Sequence, residues 1–271
     1  LYVVATPLGN LGDLSPRAAD TLKRVAVVAA EDTRHSKPLL THAGSHAELV
    51  SLHAHSSDRA LERVLRILSD GGDVALITDA GTPAISDPGV ELVAHARERG
   101  IQVVTIPGPT AVAASISVSG IGGDRYLFLG FLPRKGSDRR RLLLTAASSE
   151  WTVVLFEAPN RVTQLLTDLI EVCGPERQVA VSRELTKVFE ETRSGTLQEL
   201  SEHYAEAPVR GEVTVVLAGT GKPHVEERPA DPAERAQILL SQGMSRKDVA
   251  DRLAEETGIS RNTAYRLVNE L

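Results

Sequence analysis

The segment from Asp79 to Gly89, Asp-Ala-Gly-Thr-Pro-Ala-Ile-Ser-Asp-Pro-Gly, gathers the residue types of a ligand-binding loop. Two aspartates and two hydroxyls, Thr82 and Ser86, sit among glycines that let backbone approach a ligand and prolines that stiffen the chain. An apolar run, Val74 to Thr78, precedes the segment and reads as a buried strand. An amphipathic run from Val90 to Arg99 follows it, ends at Gly100 and reads as a helix. The connection is longer than the roughly two to six residues that such a link needs. Open α/β sheets bind ligands beyond the carboxyl ends of their strands, where this loop falls. Other chemically equipped stretches are Thr6 to Asp13, Glu31-Asp32-Thr33-Arg34, Glu157 to Arg161 and Glu184-Leu185-Thr186-Lys187. Glu31, Asp32, Glu157, Glu184 and Lys187 are candidate proton acceptors, and each serves equally well as half of a structural salt bridge.

Several chemistries are excluded or weakened. No Gly-x-Gly-x-x-Gly opens a helix and no Walker loop is present, which disfavours dinucleotides and nucleoside triphosphates. No Gly-x-Ser-x-Gly elbow marks a hydrolase. His42, His46, His53 and His55 are loosely spaced with no nearby cysteine, so loop or surface histidines are expected and no metal site. Loops of small residues suit a folded, largely uncharged cofactor held through backbone groups.

The elements that position these loops follow from periodicity. Leu1 to Ala5 reads as a first strand. Ser15 caps a helix with Pro16 at its first position. Val25 to Ala30 is a strand, and Asp58 to Asp70 is a helix with Leu61, Val64, Leu65 and Leu68 on one face. Ile101 to Ile106 is a strand ending in Pro107-Gly108-Pro109-Thr110, with Thr110 as cap of an alanine-rich helix, Ala111 to Val118. This alternation predicts a mostly parallel sheet with helices on both faces. After Gly123 come strands Tyr126–Leu132, Trp151–Phe156, Gln178–Arg183 and Val213–Ala218, with helices between them. The tail, a helix from Pro232 to Gln242, a Ser245–Asp248 capping box and a last helix capped by Ser260, has a helix-turn-helix pattern or that of an oligomerisation hairpin. The expected division is an α/β domain over 1–123, a second over 124–220, a linker over 221–230 and a helical tail over 231–271.

Composition sets the outer bounds. The chain has 271 residues, 42% of them hydrophobic but only 3% aromatic, so Val, Leu, Ile and Ala must build its cores. Cys173 is the single cysteine, which excludes an internal disulfide and fits a reducing, cytoplasmic setting. No apolar run reaches membrane-spanning length, and the first residues lack a basic leader. A net charge of −6 confines any nucleic-acid contact to local patches. The best such patch is Arg134-Lys135-Gly136-Ser137-Asp138-Arg139-Arg140-Arg141.

Taken together, Thr6 to Arg17, Glu31 to Arg34, Asp79 to Gly89, Pro107-Gly108-Pro109, Gly130-Phe131-Leu132-Pro133 and Arg183 to Lys187 resemble one family over nearly the whole chain. It is the family of small-subunit ribosomal RNA methyltransferases that 2′-O-methylate a cytidine of 16S RNA, within the tetrapyrrole-methylase superfamily. The resemblance implies two α/β domains with S-adenosyl-methionine in the crevice between them, a small helical RNA-binding tail, and a homodimer. It implies cofactor contacts from Pro7, Leu8, Gly9, Asp79, Gly81, Thr82, Ile85, Ser86, Thr110 and Ala111, closed by Phe156 and Glu157. The first loop, Thr-Pro-Leu-Gly, departs from the Gly-Pro-Gly-Asp type of the tetrapyrrole enzymes and tilts the reading toward RNA. Ala158 and Asn160 stand where the family usually has Ser and His.

Methylating a ribose hydroxyl calls for in-line alignment and a proton acceptor. Glu31, Asp32, Glu157, Glu184 and Lys187 remain open for the latter role. Arg134, Lys135, Arg139, Arg140 and Arg141, with Arg261 and Arg266 of the last helix, are the expected phosphate contacts to 16S RNA or the small subunit. A methyltransferase acting on corrinoid or porphyrin precursors, and a metabolite-sensing regulator with a DNA-binding tail, are the competing readings.

Overall fold

The computed structural model describes residues 1–52, 58–207, 209–221, 232–241, 244–257 and 259–270. It divides into two compact units, Leu1–Gly221 and Lys222–Leu271.

The first unit holds two sheets. The first sheet is fully parallel, in the order β3-β2-β4-β1-β5. Its strands are β1 (Tyr2–Val4), β2 (Val27–Ala30), β3 (Glu48–Ser51), β4 (Val74–Leu76) and β5 (Val104–Ile106). Between them run α1 (Pro16–Arg24), α2 (Thr33–Ala43), α3 (Asp58–Ser69) and α4 (Val90–Glu98). Both faces of the central strands are buried, and the pleat shows it. Val27 and Ala29 join Val64, Leu65, Leu68, Leu92 and Ala96 of α3 and α4. Val28 and Ala30 join Ala18, Leu22, Leu39 and Leu40 of α1 and α2. A continuous apolar strand is the signature of such double coverage. Ser15 caps α1 as expected, its Oγ accepting from the Ala18 amide at 3.1 Å. β3 was not expected, because Glu48-Leu49-Val50-Ser51 buries little as an edge strand and gives no clean period. His42, in the last turn of α2, and His46 are exposed; His53 and His55 lie outside the described residues.

The second sheet has the order β6-β7-β10-β8-β9, with β6 parallel to β7 and the remaining pairs antiparallel. Its strands are β6 (Tyr126–Phe131), β7 (Thr152–Glu157), β8 (Gln178–Arg183), β9 (Glu191–Thr196) and β10 (Val213–Leu217). Helices α6 (Ser137–Ser148), α7 (Val162–Cys173) and α8 (Leu197–Glu206) cover one face around Leu155, Leu165, Leu169, Val181 and Val215. α5 (Ala111–Ser119) packs against β8, β9 and β10. Its buried residues are the small Val112, Ser115 and Ser119, which permit close approach. β9 replaces part of what was expected to be helix: Glu-Thr-Arg-Ser-Gly-Thr lacks apolar alternation because it is a polar edge strand.

The second unit contains α9 (Pro232–Ser241), α10 (Arg246–Thr257) and α11 (Arg261–Glu270). Its core is Ala236, Leu239, Val249, Ala250, Leu253, Ala264 and Val268. The Ser245 cap forms half of the expected box: Oγ accepts from the Asp248 amide at 3.2 Å and donates to the Asp248 carboxylate at 2.6 Å. Ser260 accepts from the Thr263 amide at 3.2 Å and starts α11.

Candidate functional site

The carboxyl ends of β1, β4 and β5 carry the Gly/Pro loops, and α5 begins directly after the third of them. The first two loops are clipped together, Thr6 and Gly81 exchanging backbone hydrogen bonds of 2.9 and 3.1 Å. Gly81 has φ +84°, and an added Cβ would lie 3.3 Å from Leu8, so glycine is required there. Opposite stands the second sheet, and between the two lies a cavity of about 390 Å³. That volume falls in the roughly 300–1,000 Å³ range of small-molecule sites.

Of the residues expected to contact a cofactor, Leu8, Asp79, Ile85, Ser86, Ala111, Phe156 and Glu157 line the cavity. The other expected contacts, Pro7, Gly9, Gly81, Thr82 and Thr110, are not part of its lining. Pro7 is buried, and Gly81 is taken up by its bridge to Thr6. Thr82 Oγ1 is 3.4 Å from the Pro109 carbonyl. Gly9 lies under the Lys187 side chain, whose Cγ would be 2.3 Å from a Cβ placed on that glycine. Thr110 occupies the cap position of α5, but its side chain makes no capping hydrogen bond. The cavity is completed by Ala80, Asp87, Phe131, Ala158, Pro159 and Leu185, from stretches the sequence singled out, and by Gly211 to Thr214, which strand-end reasoning missed. Phe156 packs with Phe128 and Phe131 at ring separations of 4.9 and 5.5 Å. At the bulge in β6, Gly130 comes so near the first sheet's loop that a Cβ would meet Ser86 Oγ at 2.9 Å. Among the described residues, the four non-glycine residues with positive φ, Ala84, Ser86, Glu184 and Thr186, all fall in two loops that contribute to this cavity. Such strain costs on the order of 1–3 kcal/mol per residue and clusters at functional sites.

The electrostatics separate the candidate bases. Asp32 caps α2, accepts from the Arg34 amide at 2.8 Å and pairs with the Arg34 guanidinium at 2.7 Å, which holds its carboxyl well below the usual range. Asp32 is therefore a poor base, against expectation. Lys187 is corrected too. Burial opposes its charge, but hydrogen bonds to Glu184 at 3.0 Å and Glu212 at 3.1 Å win, and its pKa is raised. It stays protonated. For Glu184, desolvation is outweighed by Lys187 and the Glu212 amide, and its pKa is lowered. Glu31 accepts from the Thr78 hydroxyl at 3.2 Å. Glu157 is buried, and that burial raises its pKa; Oε1 accepts from the Ala158 amide at 2.8 Å. Its Oε2 lies 3.2 Å from the Arg161 guanidinium yet without hydrogen-bond geometry. Asp87 was not among the expected bases, although it sits in the cavity wall. Its pKa is raised to about 6, chiefly by burial, against a hydrogen bond from Thr78 and with help from Glu31, Asp79 and Glu212.

The expected phosphate contacts also separate. Arg134, Lys135 and Arg140 are exposed, and Arg141 is exposed beside Asp138 at 3.4 Å. Arg139 is not available to a ligand. It is only 7% exposed, binds Asp168 through Nε at 2.8 Å and Nη2 at 2.5 Å, and donates to the Pro133 carbonyl at 3.0 Å. With Arg161, which donates to the Leu132 carbonyl at 2.9 Å, it fastens the loop leaving β6. In the second unit Arg261 is turned onto Asp251, at 2.6 Å through Nη2, while Arg266 is exposed. Among the described residues no His, Cys, Asp and Glu group has an arrangement for a metal ion, and no helix is long and apolar enough to cross a membrane.

A folded cofactor of S-adenosyl-methionine size fits what is present. The cavity is enclosed from both sheets, and Asp79, Ser86 and Asp87 supply polar groups within mostly apolar walls. The uncapped start of α5 adds backbone amides beside Ala111. The family model for Tetrapyrrole (Corrin/Porphyrin) Methylases matches residues 1–201. The chain is 43% identical over 275 residues to a Synechocystis protein named ribosomal RNA small subunit methyltransferase I, covering 100% of this chain and 98% of that one. It is 44% identical to the Pseudomonas aeruginosa protein of the same name, covering 98% and 95%. Among solved structures, a cobalt precorrin-4 methyltransferase aligns with a TM-score of 0.62 at 17% identity, covering 80% of this chain and 93% of that one. A Thermus thermophilus uroporphyrin-III C-methyltransferase complexed with S-adenyl homocysteine aligns with a TM-score of 0.59 at 19% identity, covering 80% and 96%.

Proposed function

This chain belongs to the tetrapyrrole (corrin/porphyrin) methylase family, and from that premise we propose that it methylates ribosomal RNA. The reaction is S-adenosyl-methionine-dependent 2′-O-methylation of a cytidine ribose in 16S RNA, on the small subunit or its RNA, in the cytoplasm. The observation that carries the reading is coverage. The structural relatives that act on tetrapyrroles cover about four-fifths of the chain, and the family match ends at residue 201. The relatives named for ribosomal RNA cover 98–100% of it, including the helical unit that begins at Lys222.

The methyl donor supplies an activated methyl group on a sulfonium. Leu8, Ile85, Ala111 and Phe156 enclose it and exclude water, and the backbone around Ala80 and Ala158 offers hydrogen bonds from both sheets. Holding donor and ribose in one orientation is the larger part of the catalysis. Arg134, Lys135, Arg140 and Arg141, at and just beyond the loop that follows β6, hold the RNA backbone near the crevice, and Arg266 in the helical unit grips a separate stretch. The protein works as a homodimer, which light scattering at micromolar concentration tests; a monomer would remove that part of the reading.

Further experiments test the rest. Incubation with labelled donor and either small subunits or a porphyrin precursor should label only the RNA; label in the tetrapyrrole instead would favour the other branch of the family. Deleting 229–271 should raise the RNA concentration needed for half-maximal rate and leave donor binding intact, since no cavity residue is removed. Replacing Arg134, Lys135 and Arg140 by alanine should flatten the salt dependence of RNA binding by roughly one unit of slope for each phosphate no longer neutralised. Unchanged salt dependence would clear this patch of an RNA role.

A further inference from the structure

We infer that the Asp87 carboxylate is the group that accepts the ribose hydroxyl proton during methyl transfer, an assignment that rests on the RNA reading above. Asp87 lines the cavity together with the residues assigned to the donor. The backbone on either side of it is unusual: Ser86 is held at φ +62°, a strained value for a residue with a side chain, and Gly89 adopts φ +123°, which glycine alone takes readily. Gly89 presses so closely on β4 that a Cβ there would lie 2.7 Å from the Leu76 side chain. The end of the loop is thus packed against the sheet two residues beyond Asp87.

Three of the neighbouring carboxylates have other partners. Asp79 accepts from the Asp32 amide at 3.3 Å and faces His35 Nδ1 at 3.2 Å. Glu212 is bound by Lys187 at 3.1 Å, and Glu31 takes the Thr78 hydroxyl at 3.2 Å. That hydroxyl has one proton, so it serves Glu31 or Asp87 but not both at once. Glu157 accepts from the Ala158 amide through Oε1 only, but its side chain is fully covered, so its Oε2, though without a hydrogen bond, is closed to a substrate hydroxyl. The charged groups acting on Asp87, Glu31 and Asp79 from the first sheet and Glu212 from the second, are all acidic, and the basic side chains near them, His35 and Lys187, are turned to Asp79 and Glu212. A carboxylate left in this surrounding gains from taking a proton, and its pKa of about 6 leaves it ionised at neutral pH and basic enough to act.

The step balances. The ribose oxygen forms its bond to the methyl carbon, the carbon–sulfur bond breaks with its electron pair going to sulfur, and the hydroxyl proton passes to Asp87. One positive and one negative charge are thereby neutralised, and the proton leaves to water afterwards.

The test uses the full chain, S-adenosyl-methionine and small subunits. Asp87→Asn should bind the donor within about threefold of wild type by calorimetry and lower kcat about 100-fold or more at pH ~7.5. The wild-type kcat should fall about tenfold per unit below about pH 6, and the variant should lose that limb. Its melting temperature at the same neutral pH should rise. Asp87 binds a proton more tightly in the folded chain than in the unfolded one, so its charge destabilises the fold above the unfolded pKa, and the amide removes that charge. Normal kcat in Asp87→Asn, loss of the acid limb in Glu157→Gln instead, or loss of donor binding would each overturn the assignment. A wild type that binds donor but methylates no RNA would overturn the parent reading and this assignment with it; active wild type with active Asp87→Asn overturns this assignment alone.

Discussion

Replacing Ala111 by phenylalanine abolishes S-adenosyl-methionine binding while leaving the fold intact. Ala111 is the first residue of α5 and lines the cavity, so a phenyl ring there occupies space the donor needs. The cavity of about 390 Å³ leaves little to spare for a second large group. The first helical turn tolerates the change, because propensities there differ by only a few tenths of a kcal/mol. The expected loss of affinity is at least about 100-fold, equivalent to roughly 2.7 kcal/mol. Calorimetry reads the affinity and a thermal melt reads the fold. Normal affinity in Ala111→Phe would remove the donor from this crevice. Gly81→Leu is a weaker test: Gly81 sits at φ +84° and is not part of the cavity lining, so a failure there reports backbone strain as much as filled space.

The second large effect is on stability. Arg139→Ala leaves the Asp168 carboxylate without its bidentate partner and frees the Pro133 carbonyl. Both side chains are largely buried, and removing one member of a buried pair costs about 3–5 kcal/mol. At roughly 2–4 °C per kcal/mol for a chain of this size, the melting temperature falls by on the order of 10 °C. Arg139→Lys does not restore it, since an ammonium cannot make both bonds. Arg140→Ala, on the exposed side of the same helix, stays within about 0.5 kcal/mol of wild type. A thermally normal Arg139→Ala would return Arg139 to the surface patch.

That contrast marks where sequence reading succeeds and stops. The parallel sheet was legible because its strands are short apolar runs between amphipathic helices, and its loops because glycine, proline and aspartate crowd the strand ends. The role of Arg139 was also within reach: residues 139, 143 and 146 share one helix face, and Leu143 and Ala146 bury theirs. Reading the charge run as a block hid that spacing. The far wall of the cavity was not legible. β10 runs antiparallel between β7 and β8, pairing Val213 with Glu157 and with Arg183. The start of β10, not its end, therefore reaches the crevice, and nothing local to Gly211-Glu212-Val213-Thr214 announces it. Asp87 was invisible as a base for the same reason, because its surroundings include Glu212 from the other sheet.

The central claim is that this crevice delivers a methyl group to a ribose of ribosomal RNA. The most direct measurement incubates the full chain with small subunits and isotope-labelled S-adenosyl-methionine, digests the RNA to nucleosides and identifies the labelled product by mass spectrometry. The expected result is one labelled species, 2′-O-methylcytidine, formed by the wild type and absent with Ala111→Phe. Label on a nucleobase, or label undiminished in the Ala111→Phe reaction, would contradict it.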